Sequence, residues 1–276
     1  MRQKYFKLLI HFFTLFLITT YLHAEDSIKI MPLGDSITYG NIASENDDPR
    51  PSSIRTGYRN HLWYMLQGAN FSADFVGSDM TGQDIVPPFD SDNEGHVGWT
   101  SYNIAENVHD YMSTNNPDII LLHIGTNDLD TSITGVAEIL NQINLYELES
   151  GETVRVLIAL IIDTRSPNEI IQDFNDNLRK LVNLHMLIGD KVTLVDMYKG
   201  AGLMSSDYGD FIHPNDNGYN KMATVWFNAL MAPYTPELYT FPATLVTPTY
   251  ITHLNINETT KSVVFTTEVP DSGIIF

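Results

Sequence analysis

Short apolar runs alternate along the chain with longer stretches whose apolar residues recur every three or four positions. Ile28 to Leu33 is such a run, and it stops at Gly34-Asp35-Ser36, so it reads as a buried strand ending in a turn that carries a hydroxyl. Tyr58, Leu62, Met65 and Leu66 have helical spacing within 54–68, and Ala73 to Val76 is a short strand. The stretch 77–100, rich in Gly, Asp and Pro, is expected as a long loop, and loops of that length in compact domains tend to carry function. Ile104, Val108, Tyr111 and Met112 mark a second amphipathic helix, closed by Asn115-Asn116-Pro117. Ile119 to Ile124 is unbroken apolar sequence, the pattern of a central strand covered on both faces.

The alternation continues. Val136, Ile139, Leu140 and Ile143 predict a helix, and 154–162 a strand. Ser166-Pro167-Asn168-Glu169 has the spacing of a capping box with proline at the first helical position, which should open the helix carrying Phe174, Leu178, Leu181 and Val182. Residues 191–195 form the fifth strand, and 214–230 the last helix, with Tyr219, Met222, Trp226 and Leu230 on one side. Five strands alternating with helices imply an α/β, doubly wound sheet with helices on both faces. Pro32 cannot donate to a ladder, so the first strand should be bent or unpaired there. After Pro233 the helical period is lost. Residues 234–276 are expected as a short β-rich extension, with a hairpin of Tyr250–Asn255 and Ser262–Thr267.

Residues 1–24 stand apart. Arg2, Lys4 and Lys7 precede an apolar run from Leu8 to Leu22, and Ala24 precedes acidic Glu25-Asp26, the pattern of a signal peptide cut after Ala24. Export is therefore expected, with an uncleaved anchor as the competing reading. The remainder is long enough for one large domain plus a small appendage. The net charge of −19 argues against nucleic acid and against an anionic membrane as partners, and suits a neutral substrate. With no cysteine, the chain has neither disulfides nor a cysteine nucleophile.

Chemistry-bearing residues gather just beyond strand ends, where open α/β sheets bind ligands. Ser36 is a candidate nucleophile. Asp210-Phe211-Ile212-His213-Pro214 sets a carboxylate three residues before an imidazole, so that Asp210 can hold one ring nitrogen while the other faces a serine hydroxyl. An oxyanion needs donors already in position, and the Ser36 N–H, the Gly98 N–H and the Asn127 amide are candidates. Glycine lets the main chain approach a substrate closely. Each motif alone is more simply a turn or a cap. Trp99, beside Gly98, is a candidate substrate-binding residue, as an acyl-pocket wall or a sugar platform, with a core tryptophan as the alternative. Arg165 is a second candidate substrate contact, weighed against a solvated arginine. His96 and His123 read as structural. Asp47, Asp48, Asp84, Asp90, Asp92 and Glu94 read as solvated acidic loops rather than calcium ligands.

Taken together, Gly34-Asp35-Ser36, Gly98, Gly125-Thr126-Asn127-Asp128 and Asp210-x-x-His213 resemble, in that order, four blocks of the SGNH hydrolase superfamily, the GDSL-type esterases. The first block has Ile37 where that family's name has leucine. Gly57-Tyr58-Arg59, Asp74 to Ser78, Glu94 to Thr100 and His213-Pro214-Asn215-Asp216 look more narrowly like carbohydrate esterase family 3, the acetylxylan esterases. The resemblance implies a three-layer α/β/α sandwich with a flavodoxin-like, five-stranded parallel sheet over residues 25–233. It also implies catalysis by Ser36, Asp210 and His213, with Ser36, Gly98 and Asn127 forming the oxyanion hole. The activity implied is removal of acetyl groups from xylan-like polysaccharide, without cofactor or metal, by a chain expected to act as a secreted monomer. Other readings are an SGNH lipase or thioesterase on longer acyl chains, a non-catalytic glycan-binding protein, and a metal-dependent phosphoesterase using Asp35, Asn127, Asp128 and His213.

Overall fold

The computed structural model describes residues 27–234, together with the backbone of 250–257 and 262–268. In chain order it contains β1 (Ile28–Gly34), α1 (Ser36–Tyr39), α2 (Arg59–Gly68), β2 (Ala73–Phe75), β3 (Asp79–Met80) and β4 (Asp92–Gly95). There follow α3 (Ser101–Asn115), β5 (Ile119–His123), α4 (Thr134–Ser150), β6 (Arg155–Ala159) and α5 (Glu169–Ile188). Then come β7 (Val192–Val195), α6 (Met197–Gly200), α7 (Asp216–Met231), β8 (Tyr250–Asn257) and β9 (Ser262–Glu268). The last two pair antiparallel as the expected hairpin. The predicted leader, 1–24, lies outside the described residues. Among the described residues no helix is long and apolar enough to cross a membrane.

The expected five parallel strands run β2-β1-β5-β6-β7, a doubly wound order that reverses direction at β1. Alternation of side chains sorts the core into two layers. Met31, Leu33, Ile120, Leu122, Val156 and Ile158 face one way, onto α3, α4 and α5. Ile30, Ile119, Leu121, Leu157 and Ala159 face the other, onto α2 and α7, where Trp226 and Tyr58 are fully buried. Every one of these strand residues is covered, which is why the strands lack a polar alternation.

The loop expected at 77–100 holds two further strands. β4 pairs parallel with the upper half of β1, Leu33↔Glu94 and Gly34↔Gly95, while β2 occupies the lower half of the same edge. Pro32 falls between them. Ile30 O and Gly34 O accept from Val76 N and His96 N on that edge, and Lys29 O accepts from Asp118 N on the other. Residue 32 shares the orientation of 30 and 34, so its missing N–H points into the gap where β2 has ended and β4 has not begun. The strand stays continuous, paired on its β5 side.

Two helix starts differ from the sequence reading. α5 begins at Glu169 with Asn168 as the cap, its side-chain oxygen accepting from Ile170 N at 3.0 Å; Pro167 lies outside the helix. α7 begins at Asp216 with Asn215 as the cap, and Pro214 instead bridges to Tyr208. In both places an asparagine supplies the oxygen acceptor that the first free amides need, so the cap lies nearer the helix than the proline does.

Candidate active site

Ser36 is the first residue of α1, just past the carboxyl end of β1 and so at the switch point of the sheet. Asp35 caps this one-turn helix, Oδ1 accepting from Ile37 N at 2.9 Å. First-turn amides have no helical acceptor, which leaves the Ser36 N–H available to a ligand. Arg59, fully buried, fixes the far end: its guanidinium donates to the carbonyls of Thr38, Tyr39, Arg55, Thr81 and Ser91. Desolvation lowers the Arg59 pKa to about 10, so the cation persists at neutral pH, solvated by main-chain dipoles in place of water. Asp35 is also fully buried, and burial is the main force pushing its pKa up to about 7, against the Ile37 amide and the Thr126 hydroxyl.

His213 comes to Ser36 from the loop before α7. Its Nε2 lies 2.9 Å from Ser36 Oγ, and its Nδ1 lies 2.8 Å from Asp210 Oδ2. An ionised carboxylate only accepts, so Nδ1 carries the proton and Nε2 is left to accept from the serine hydroxyl. The other carboxylate oxygen, Oδ1, accepts from the backbone of His213 at 2.6 Å and of Ile212 at 2.7 Å. Burial would raise the Asp210 pKa, but the hydrogen bonds from His213 and Ile212 outweigh it and hold the carboxyl below its ordinary value. The three side chains predicted from two distant motifs are brought together.

Gly98 and Asn127 lie on the segments that follow the two strands paired with the end of β1. Gly34 pairs with Gly95 on one side and His123 on the other, so the segments leaving β4 and β5 rise on either side of the segment leaving β1. Trp99 N donates to His96 O across a four-residue turn whose third residue, Gly98, has φ +78°. That left-handed position favours glycine, and a Cβ there would meet no neighbour, so the main chain at Gly98 is open on that side. Asn127 Nδ2 donates one hydrogen to Trp99 O at 2.9 Å, which leaves the second for a ligand. Its neighbour Asp128 faces α3, both oxygens taken by Ser101 N at 2.8 Å and Ser101 Oγ at 2.6 Å.

The remaining sequence candidates divide. Trp99 is partly buried, its ring stacked on His96 at 4.1 Å between centroids, so that face is closed to a sugar. Arg165 is exposed, and it is its backbone N–H that reaches the His213 loop, donating to Phe211 O at 2.8 Å. The acidic stretches are not all solvated loops. Asp48 and Glu94 are buried, because each carboxylate accepts backbone amides: Ile42 and Arg50 for Asp48, Ser78 for Glu94. Asp90 likewise accepts from Phe75 N at 2.9 Å. Of the four groups that a metal phosphoesterase would use as ligands, Asp35 caps α1, Asp128 holds Ser101, and His213 is engaged on both nitrogens. Beside the site lies a cavity of about 170 Å³ lined by Leu129, Ile161, Ile170, Phe174, Phe211 and Ile212, with Leu129 78 % exposed on its rim.

A serine, a histidine and an aspartate in hydrogen-bonded sequence, set over the switch point of a doubly wound sheet, form the arrangement of a serine acyl hydrolase. The family follows from comparison: the chain belongs to the GDSL-like Lipase/Acylhydrolase family, whose model matches residues 33–221. It is 31% identical over 241 residues to a multidomain esterase of Ruminococcus flavefaciens, an alignment covering 75% of this chain but only 29% of that protein. A family 3 carbohydrate esterase of Clostridium thermocellum superimposes with TM-score 0.61 at 32% identity, covering 73% of this chain and 94% of that one. One from Talaromyces cellulolyticus gives TM-score 0.62 at 28% identity, covering 74% and 96%. Residues 33–221 thus form a GDSL-like lipase/acylhydrolase domain similar in structure to family 3 carbohydrate esterases, and the chain spans less than a third of the length of its multidomain relative.

Proposed function

We propose that the chain is a secreted serine esterase that removes acetyl and other short acyl groups from carbohydrate, acetylated xylan-like polysaccharide above all, through an acyl-enzyme on Ser36. The observation that carries this reading is the unbroken path from Ser36 Oγ through His213 to Asp210, 2.9 and 2.8 Å per step. His213 Nε2 takes the hydroxyl proton as Ser36 Oγ attacks the ester carbonyl. The negative charge on the carbonyl oxygen is met by the N–H groups of Ser36 and Gly98 and the free Asn127 hydrogen. His213 then returns the proton to the departing sugar oxygen. Water, deprotonated by the same imidazole, attacks the acyl-enzyme and releases the carboxylic acid and Ser36. Asp210 stays ionised throughout and holds the imidazole in its tautomer.

Every proton and charge is handled by side chains and amides, so the reaction draws on no cofactor. The likeness to family 3 carbohydrate esterases supports the carbohydrate acceptor, and the leader pattern at 1–24 supports export. The acidic surface suits a neutral polysaccharide bound by one copy of the chain rather than nucleic acid or a membrane.

A second reading, hydrolysis of longer acyl esters, is favoured by the apolar cavity beside His213: about 170 Å³ is slightly more than the roughly 150 Å³ that holds one benzene ring. Aryl esters of increasing acyl length, assayed beside acetylated xylan, separate the two. Highest kcat/KM on acetyl, with acetate released from xylan, is the expected result. A maximum at six or more carbons would establish the second reading. No ester hydrolysis, or hydrolysis untouched by Ser36→Ala, would overturn both.

A further inference from the structure

The two side donors of the oxyanion site meet at one residue, Trp99: Gly98 precedes it in the chain and Asn127 is hydrogen-bonded to its carbonyl at 2.9 Å. What holds Trp99 therefore holds both donors. Its ring lies against His96, 4.1 Å between centroids and 20° from parallel, and its N–H donates to His96 O. The His96 ring also lies nearly parallel to Tyr111, 5.3 Å away, which belongs to α3. The imidazole is oriented by Glu94, whose Oε2 lies 3.0 Å from His96 Nε2. Glu94 is fully buried on β4, its Oε1 accepting from Ser78 N and its Oε2 from Ser78 Oγ.

We propose that His96, clamped by Glu94, is a positioning residue for the oxyanion site: it fixes Trp99, and through Trp99 it sets the Gly98 N–H and the Asn127 amide. The proposal rests on the esterase reading above. The network has the required construction. A buried carboxylate with three hydrogen bonds sits rigidly on a strand that pairs with β1, the strand leading to Ser36. Stacking transmits that rigidity to an indole whose own carbonyl receives Asn127. The donors are thus referenced to the same strand pair as the serine, and a displacement of a fraction of an ångström in a donor is enough to weaken its hold on a developing oxyanion. Substrate binding in the ground state does not depend on these donors to the same degree.

The test is a double-mutant cycle on the full-length protein with an aryl acetate, pairing His96→Ala with Asn127→Ala. His96→Ala alone is expected to lower kcat about 10- to 100-fold, with KM within about threefold. In the Asn127→Ala background the same change should cost at least about threefold less, because one donor it acts through is already gone. His96→Phe, which keeps a ring on Trp99, should retain more activity than His96→Ala, and it replaces the alanine variant in the cycle if that variant fails to fold. A kcat unchanged by either His96 substitution, or a loss that multiplies in full with Asn127→Ala, would overturn the proposal. A wild-type protein without Ser36-dependent ester hydrolysis would instead overturn the reading beneath it.

Discussion

Replacing Asp35 with asparagine isolates the energetic consequence of placing a carboxylate directly beneath the nucleophile. Asp35 is fully buried, and desolvation is the leading cause of a pKa raised from 3.8 to about 7. The native state therefore binds a proton more tightly than the unfolded chain does. The stabilisation from that proton is whole below about pH 4 and is lost as pH rises through about 7. At roughly 1.4 kcal/mol per pH unit over about three units, on the order of 4 kcal/mol is at stake. Asparagine keeps an oxygen to accept from Ile37 N and never ionises. Relative to wild type, Asp35→Asn should therefore gain stability from pH 4.5 to about pH 7 and hold that gain to pH 8. With about 2–4 °C of Tm per kcal/mol in a chain of this size, the gap in Tm should widen by about 10 °C over that range. Scanning calorimetry across the range measures it directly. Two Tm curves running parallel from pH 4.5 to pH 8 would show that Asp35 is ionised in the fold throughout and would refute the reasoning.

Asp210→Asn should remain folded at pH 7, with a somewhat lower Tm, but lower kcat by about 10³- to 10⁴-fold, because an amide can donate to His213 Nδ1 and turn Nε2 into a donor facing Ser36. Since the Asp210 pKa is depressed, its contribution to stability is present above the unfolded value and disappears as pH falls through the folded one. The stability gap between wild type and variant should therefore narrow as acid protonates Asp210, and a variant that hydrolyses ester at more than a tenth of the wild-type rate would contradict the role. Gly125→Ala puts a Cβ 2.3 Å from the Phe174 ring, at φ +127°, where L residues are strained. Chemical denaturation should show a loss of about 2–4 kcal/mol, and a loss under 1 kcal/mol would mean that Phe174 moves freely.

What could be read in the sequence depended on how locally each feature is encoded. β5 announces itself because five consecutive apolar-to-imidazole positions are all buried, and the helices because their buried residues recur at helical spacing. Ser36, His213 and Asp210 were legible for the same reason: each lies in a short motif next to an element boundary. β4 was not, since Asp92-Asn93-Glu94-Gly95 has the composition of a loop. Its polar side chains are buried by hydrogen bonds to Ser78, Asp79, Thr81 and Ser91, partners supplied by segments that only the fold brings near. The same reason hides Arg59, which looks like a surface arginine at the start of a helix until five carbonyls converge on it. Pro32 is the opposite case. The sequence signalled a break in pairing, and the break exists, but it sits between two strands on one edge and leaves β1 intact.

Covalent trapping tests the central claim most directly. A serine-reactive fluorophosphonate incubated with the protein, followed by proteolysis and peptide mass spectrometry, should place a single adduct on Ser36. The labelling rate should fall at least about 100-fold in His213→Ala, as expected when a hydroxyl loses its base. Labelling on another residue, or labelling of Ser36 at an undiminished rate without His213, would contradict the account.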